Sequence, residues 1–224
     1  FIFTVKTPCF MKNFEDKRKK YLKSALLEST ALENPIEMFQ RWMVDAINDH
    51  VVEPNAMILA TVDVFGAPEV RTVLLKEIVD GAFVFYTNYG SHKAQQIDSN
   101  PSVSLLFLWK ESERQIRISG HAKKVSEEKS TDYFQKRPRG SQIGAWVSPQ
   151  SQEIESREEL EVRQSDMEKR FKDVVILDRP GFWGGYQVVP QKVEFWQGRD
   201  NRLHDRLLYE LQENQDWSIK RLAP

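Results

Sequence analysis

The sequence predicts a mainly β fold with surrounding helices, an α+β chain whose strands close or nearly close into an antiparallel barrel. Three observations carry this. From Ala56 onward, short segments rich in Val, Ile, Leu, Thr and aromatic residues recur, each bounded by Gly, Pro, Asn or Asp. Segments with helical apolar spacing are brief and stand between these strands or beside them. At 224 residues the chain has room for one sizeable core rather than two.

The first helix is predicted from Asn34-Pro35-Ile36-Glu37, with Asn34 as cap, Pro35 in the first turn and Glu37 three residues after the cap. Ile36, Phe39, Met43, Ala46 and Ile47, widened by Trp42, give it one apolar face. The period then changes to two. Ala56–Asp63 and Glu69–Glu77 read as a hairpin through Phe65-Gly-Ala-Pro68, and Ala82–Thr87 follows the Asp80-Gly81 turn. Ser91 is placed to cap a short helix through Asp98. Ser102–Lys110 and Arg114–Val125 form a second hairpin, with Gly120 marking a bulge or a close approach. Helices are predicted from the Ser126 cap to Lys136, across Ser141–Val147, and over the charge-rich, mostly exposed Ser156–Lys172. The breakers in Arg179–Gly185 predict a loop. Tyr186–Gln197, His204–Leu211 and Asp216–Leu222 supply the last strands, with Pro190 at an edge or bulge.

The charge balance of 32 Lys+Arg against 33 Asp+Glu leaves a net −1, so no whole-molecule field favours nucleic acid or an anionic membrane. Cys9 is the single cysteine, which excludes an intrachain disulfide and a cysteine-based metal site and points to a reduced, cytoplasmic setting. The long apolar run Leu105–Trp109 is strand-sized. His50, His92, His121 and His204 show no metal-ligand spacing, and no metal is expected. Phe1–Phe10 lack the features of a secretory leader, Met11 opens a polar run, and Lys17–Lys20 reads as a solvated basic face. The expected division is an N-terminal extension over residues 1–33 and a single domain over 34–224.

Several residues invite a chemical role. Arg71 and Lys76 lie on the otherwise apolar Arg71-Thr-Val-Leu-Leu-Lys76, and on a regular strand their separation puts them on opposite faces. Two anions, or two sides of a subunit boundary, would follow. Tyr133, Arg137 and Ser141 are spaced by four, a hydroxyl–guanidinium–hydroxyl set that suits a phosphate. Gln115, Gln150 and Ser151 are neutral groups beside apolar segments. After Val193-Glu-Phe-Trp-Gln197 and a Gly-Arg-Asp-Asn turn, Arg202, His204 and Arg206 alternate, which on extended backbone puts all three on one face. A half-solvated strand whose arginines pair with Glu194, Asp200 or Asp205 meets the same pattern. Neither a dinucleotide-type glycine motif nor a Walker loop is present, so phosphates would be held by side chains.

Taken together, these motifs resemble the pyridoxine/pyridoxamine 5′-phosphate oxidase family. They are Arg-x-x-Leu-Leu-Lys at 71–76, Arg-Gln-x-Arg at 114–117, Tyr-Phe-x-x-Arg-Pro at 133–138, Ser-Gln-Ile-Gly-Ala at 141–145, Gln150-Ser151, Trp183-Gly-Gly185, Glu-Phe-Trp-Gln at 194–197, Arg-Leu-His-Asp-Arg at 202–206 and the terminal Arg-Leu-Ala-Pro. The resemblance runs from about Asn34 to Pro224. It implies an antiparallel split β-barrel homodimer with FMN at the interface. The implied reaction is oxidation of pyridoxine 5′-phosphate and pyridoxamine 5′-phosphate to pyridoxal 5′-phosphate, with dioxygen reduced to hydrogen peroxide. The implied FMN contacts are Arg71, Thr72, Val73, Leu74, Tyr86, Thr87, His92, Lys93, Gln115, Gln150, Ser151, Trp196 and Arg206. At His92-Lys93 many relatives carry Arg-Lys, and an imidazole lacks a guanidinium's two-pronged grip. Lys76, Tyr133, Arg137 and Ser141 would hold the substrate phosphate, while Arg202, Leu203 and His204 would meet the pyridine ring, with Arg202 and His204 as the catalytic pair. A related split-barrel flavin or deazaflavin reductase, and a carrier that binds flavin or pyridoxal phosphate without turnover, are the alternatives.

Overall fold

The computed structural model describes residues 20–224. Cys9, the apolar opening and all but the last residue of the basic run lie outside the described residues. The helices are α1 (Pro35–Asn48), α2 (His92–Ser99), α3 (Glu127–Lys136), α4 (Arg139–Val147) and α5 (Arg157–Arg170). The strands are β1 (Ala56–Val62), β2 (Pro68–Leu74), β3 (Glu77–Val79), β4 (Ala82–Asn88), β5 (Ser102–Trp109), β6 (Arg114–Lys124), β7 (Trp183–Gln197), β8 (Asp205–Leu211) and β9 (Trp217–Arg221). They form one antiparallel sheet in the order β2-β1-β5-β6-β7-β4-β3, with β8 paired to β7 and β9 to β8.

The sheet curls because the long strand β7 serves two neighbours on the same edge in succession. Its first half, from Trp183 to Val188, pairs with β4; its second half, from Lys192 to Gln197, pairs with β8. On its other edge β6 follows nearly its whole length, and the register shifts where Ser119↔Lys192 gives way to Gly120↔Pro190. The extra residue, Gln191, makes this a β-bulge. A Cβ on Gly120 would stand 2.1 Å from Val189 O, so only glycine fits. Both expectations, for Gly120 and for Pro190, are met.

Helix α1 plugs the curl. Asn34 Oδ1 accepts from Ile36 N at 2.8 Å, and Pro35 occupies the first turn as its sequence predicts. The buried stripe is Met38, Phe39, Trp42 and Ala46, whereas Ile47 is 54% exposed, so the helix is rotated from the predicted face. Phe39 lies 5.0 Å from Phe83 and 4.9 Å from Phe107, and Trp42 5.1 Å from Phe195. A second cluster joins Phe134, Ile143, Phe171, Leu177 and Trp183 under α3, α4 and α5. The exposed helix α5 buries none of its own residues.

Two local expectations are corrected. Ser91 precedes α2, but its hydroxyl does not cap the helix; it donates to Asn88 O at 2.7 Å and accepts from Lys93 Nζ at 3.1 Å. The predicted loop over Arg179–Gly185 ends at Phe182, because Gly184 and Gly185 pair with Thr87 and Tyr86 as the start of β7. The tyrosines leave room there for glycine alone: a Cβ on Gly184 would fall 2.2 Å from the Tyr89 hydroxyl, and one on Gly185 2.8 Å from the Tyr86 ring.

Residues before α1 also pack on the sheet. Leu26 is 2% exposed in the main core, its N–H donates to Asp205 Oδ2, and the N–H groups of Leu22 and Lys23 donate to Glu113 Oε2. No described helix is long and apolar enough to cross a membrane.

Candidate active site

A cavity of about 820 Å³ opens between β2, β4, α2 and the start of α4, within the range of roughly 300–1,000 Å³ usual for small-molecule sites. It gathers Arg71, Thr72, Val73, Leu74, Lys76, Tyr86, Thr87, His92, Lys93, Tyr133, Arg137, Ser141, Gln150 and Ser151 from the sequence-predicted set. Arg71 and Lys76 share its wall. Their expected placement on opposite faces fails because β2 ends at Leu74; Leu75 N then bonds to Asn55 O and Lys76 N to Val84 O, so the chain has left the strand before Lys76.

Two separate cationic groups line the cavity. Arg71 donates to Leu59 O at 3.2 Å, Thr61 Oγ1 at 2.5 Å and Glu69 Oε2 at 3.1 Å. Burial pulls its pKa down, and the Glu69 carboxylate partly offsets that. Lys93, 9% exposed, donates to Gln150 Oε1 at 2.9 Å, Ser91 Oγ at 3.1 Å and Thr87 Oγ1 at 3.3 Å. Burial, with the Arg71 charge nearby, lowers its pKa to about 8. Together Arg71 and Lys93 put two neighbouring positive charges on the cavity, where an anion would take over acceptor positions now held by protein groups, and the β2 wall leaves apolar surface beside them.

The second group centres on Arg137, at the end of α3. Its guanidinium lies 4.5 Å from the Trp183 ring centroid, and its buried Nη1 has no hydrogen-bond partner among the described residues. Burial lowers its pKa as well. A desolvated, unpartnered guanidinium nitrogen beside Lys76, Tyr133 and Ser141 fits an anion with several acceptor oxygens. Tyr133 stacks on Tyr86 at 3.9 Å, and Tyr86 on Trp183 at 5.5 Å, so the aromatic wall is rigid. The Tyr86 hydroxyl donates to Glu77, and burial with that carboxylate raises its pKa.

Gln115, Trp196, Arg202, Leu203, His204 and Arg206 do not line this cavity. Gln115, Trp196 and Arg206 form a row across β6, β7 and β8, paired in register. The His204 ring lies 4.6 Å from Trp196, and its Nδ1 accepts from Arg199 N at 3.1 Å, which leaves the neutral ring's proton on Nε2. The expected alternation of Arg202, His204 and Arg206 on one strand face is corrected, since β8 begins at Asp205. Asn201 (φ 54°) and Arg202 (φ 63°) form a left-handed turn that presents Arg202 from a loop. Arg206 donates to Glu194 Oε1 at 2.8 Å and Ala223 O, the pairing that the half-solvated-strand reading anticipates, and the Glu194 hydrogen bond raises its pKa. Trp183 and Trp196 stand at opposite ends of β7, about 40 Å apart along an extended strand.

Sequence reasoning missed Glu69, Thr61 and Gln96, which all touch Arg71, and Tyr21, whose ring meets Trp196 and His204 edge-on at 5.8 and 5.7 Å. Strand parity could have found Thr61, which pairs with Glu69 across the first hairpin. Helical spacing could have found Gln96, three residues after Lys93 on α2, whereas nothing in spacing links Tyr21 to the site.

Residues 43–170 match the family model described as pyridoxamine 5′-phosphate oxidase, and residues 183–224 match the one described as the pyridoxine 5′-phosphate oxidase C-terminal dimerisation region. The pyridoxine/pyridoxamine 5′-phosphate oxidase of Rubrobacter xylanophilus is 53% identical over 92% of this chain and 94% of its own length. That of Bacteroides thetaiotaomicron is 51% identical over 96% and 100%. Among solved structures, PhzG from Burkholderia lata 383, in complex with tetrahydrophenazine-1-carboxylic acid, superposes with a TM-score of 0.83 at 31% identity, covering 89% of this chain and 98% of that one. Sequence, antiparallel curled sheet and cavity agree, and the chain belongs to the pyridoxamine 5′-phosphate oxidase family.

Proposed function

We propose that this chain oxidises pyridoxine 5′-phosphate and pyridoxamine 5′-phosphate to pyridoxal 5′-phosphate with FMN and dioxygen, as a homodimer with a site at each subunit boundary. The observation that carries this reading is the buried Nη1 of Arg137, which has no partner among the described residues and is set in the same cavity as the separate Arg71/Lys93 group. Two phosphates, one from cofactor and one from substrate, match two cationic groups.

FMN, when bound, would supply the hydride acceptor that dioxygen reoxidises to give hydrogen peroxide, and with the amine substrate water would hydrolyse the resulting imine and release ammonia. Arg71 and Lys93 balance the cofactor phosphate, with Thr72, Val73, Leu74, Tyr86, Thr87, His92, Gln150 and Ser151 around it. Lys76, Tyr133, Arg137 and Ser141 fix the substrate phosphate, and that anchor sets where the substrate's C4′ carbon lies. The Arg202 guanidinium carries donors and no acceptor, so it acts by covering the pyridine ring and stabilising charge rather than as a base. His204, its tautomer set through Nδ1, can donate at Nε2. The second subunit delivers the Arg202, Leu203 and His204 loop with Gln115, Trp196 and Arg206. Support for this comes from the matched dimerisation region, which contains all of these residues but Gln115, and from the opposite ends of β7 that the two halves occupy.

Anaerobic mixing of the FMN-loaded protein with pyridoxine 5′-phosphate tests the reading. The yellow flavin absorbance should bleach in a single turnover and return on admitting air. A protein that takes up no FMN, or a bound flavin that stays oxidised as it would in a carrier or a reductase of other substrates, rejects it.

A further inference from the structure

We propose that Thr61 and Gln96 are positioning residues that hold the Arg71 guanidinium for the flavin phosphate, an inference that rests on the FMN reading above. Thr61 lies on β1 and is fully buried; Gln96 lies on α2 and is 7% exposed. Thr61 Oγ1 accepts from Arg71 Nη1 at 2.5 Å and donates its one proton to Gln96 Oε1. The same Gln96 oxygen accepts from Arg71 Nη2 at 3.4 Å. With its oxygen taking both donors, the amide can face only one way. The guanidinium is therefore gripped from β1 through Leu59 O and Thr61, and from α2 through Gln96.

Valine would fill the volume of Thr61 in a core strand without a hydroxyl to satisfy, and among the described residues the hydroxyl's partners lead only to Arg71 and its second support. Gln96 follows Lys93 by three residues, on the same side of α2, and both are buried. One short helix thus carries one phosphate cation and fixes the plane of the other. An arginine held this way keeps its donors aimed without waiting for the ligand to order them, and a freely rotating one would lose rotamer freedom on binding.

The test compares FMN with riboflavin, which lacks the phosphate, by flavin-fluorescence titration of the apoprotein of wild type, Thr61→Val, Thr61→Ser and Gln96→Met. Thr61→Val should weaken FMN roughly three- to tenfold, the scale of one hydrogen bond's contribution, while leaving riboflavin unchanged. Thr61→Ser, which restores the hydroxyl, should recover the FMN value. Gln96→Met keeps length and removes the acceptor; it should show the same phosphate-specific loss, and it stands alone if Thr61→Val does not fold. An unchanged FMN-to-riboflavin ratio in the folded variants, or equal loss of both ligands, overturns the assignment. A wild type that prefers neither flavin overturns the cofactor reading itself.

Discussion

The guanidinium of Arg137 rests 4.5 Å from the centroid of the Trp183 ring, an aromatic side chain at the start of β7 supporting a cation at the end of α3. The ring holds the charge in a dry place without neutralising it, so the cation stays available to an incoming anion. Arg137→Ala should raise KM for pyridoxine 5′-phosphate about ten- to a hundredfold, or about 1.5–3 kcal/mol, with flavin content unchanged. Trp183→Leu keeps the charge and loses its platform, and a smaller rise of roughly two- to fivefold is expected. Steady-state kinetics beside flavin absorbance would check both; loss of flavin in Arg137→Ala would move that residue to the cofactor's side.

Lys93 sets a pH limit on cofactor retention. Its pKa falls from 10.5 to about 8, so in the flavin-free protein the ammonium discharges as pH rises through about 8. FMN affinity should decline above that point, and Lys93→Arg should abolish the decline. The sign for stability is opposite: the unfolded chain holds the proton up to about 10.5, so the flavin-free fold is penalised below about 8 and regains that loss between about 8 and 10.5. Titrating FMN at several pH values, with riboflavin as control, decides the binding half; urea melts of the flavin-free protein decide the other.

Glu69 occupies Arg71 with a carboxylate at 3.1 Å, on the wall where the phosphate would lie. A bound phosphate must compete with it. Glu69→Gln should therefore tighten FMN binding about two- to tenfold, consistent with the modest strength of a partly exposed ion pair. Weaker binding would show that the carboxylate orients Arg71 instead of competing for it.

Arg202→Ala and Arg202→Lys should both stay yellow and lose well over tenfold in kcat/KM, more than about 1.4 kcal/mol, because lysine keeps the charge but not the flat surface. If the second subunit supplies this loop, co-expressed Lys76→Ala and Arg202→Ala chains should regain about a quarter of wild-type activity, since half the dimers are mixed and each mixed dimer has one intact site. Activity no higher than that of the separate variants would place Arg202 and Lys76 in the same subunit's site.

Most of the strands were legible because hairpin turns and period-two burial are local, as at Ala56–Val62, where alternate residues are buried. The Asn34 and Ser126 caps were legible for the same reason. What failed depended on where a strand stops. Arg71 and Lys76 looked divided by parity until the chain left β2 at Leu74, and Arg202 looked like part of a strand that begins only at Asp205. The cavity residues were named through family motifs, but the contacts that tune them, Glu69 on Arg71 and Trp183 beneath Arg137, arise from tertiary packing that spacing does not encode.

The bulge at Gln191 has a genetic consequence. Before it, the β7 side chains in the main core are even-numbered, Tyr186 and Val188; beyond it they are odd-numbered, Val193 and Phe195. The extra residue is a change of phase written into the strand, and it lets one continuous segment present Trp183 correctly at one end and Trp196 at the other. Removing Gln191 would restore an unbroken alternation with Val193, Phe195 and Gln197 still in phase with Tyr186 and Val188, and would remove only the local bend between the two halves. A one-codon deletion there should consequently be better tolerated than one at Glu194, which would turn Phe195 and Gln197 to the opposite face, so the gene accepts a change in length at the bulge more readily than in the regular strand beside it.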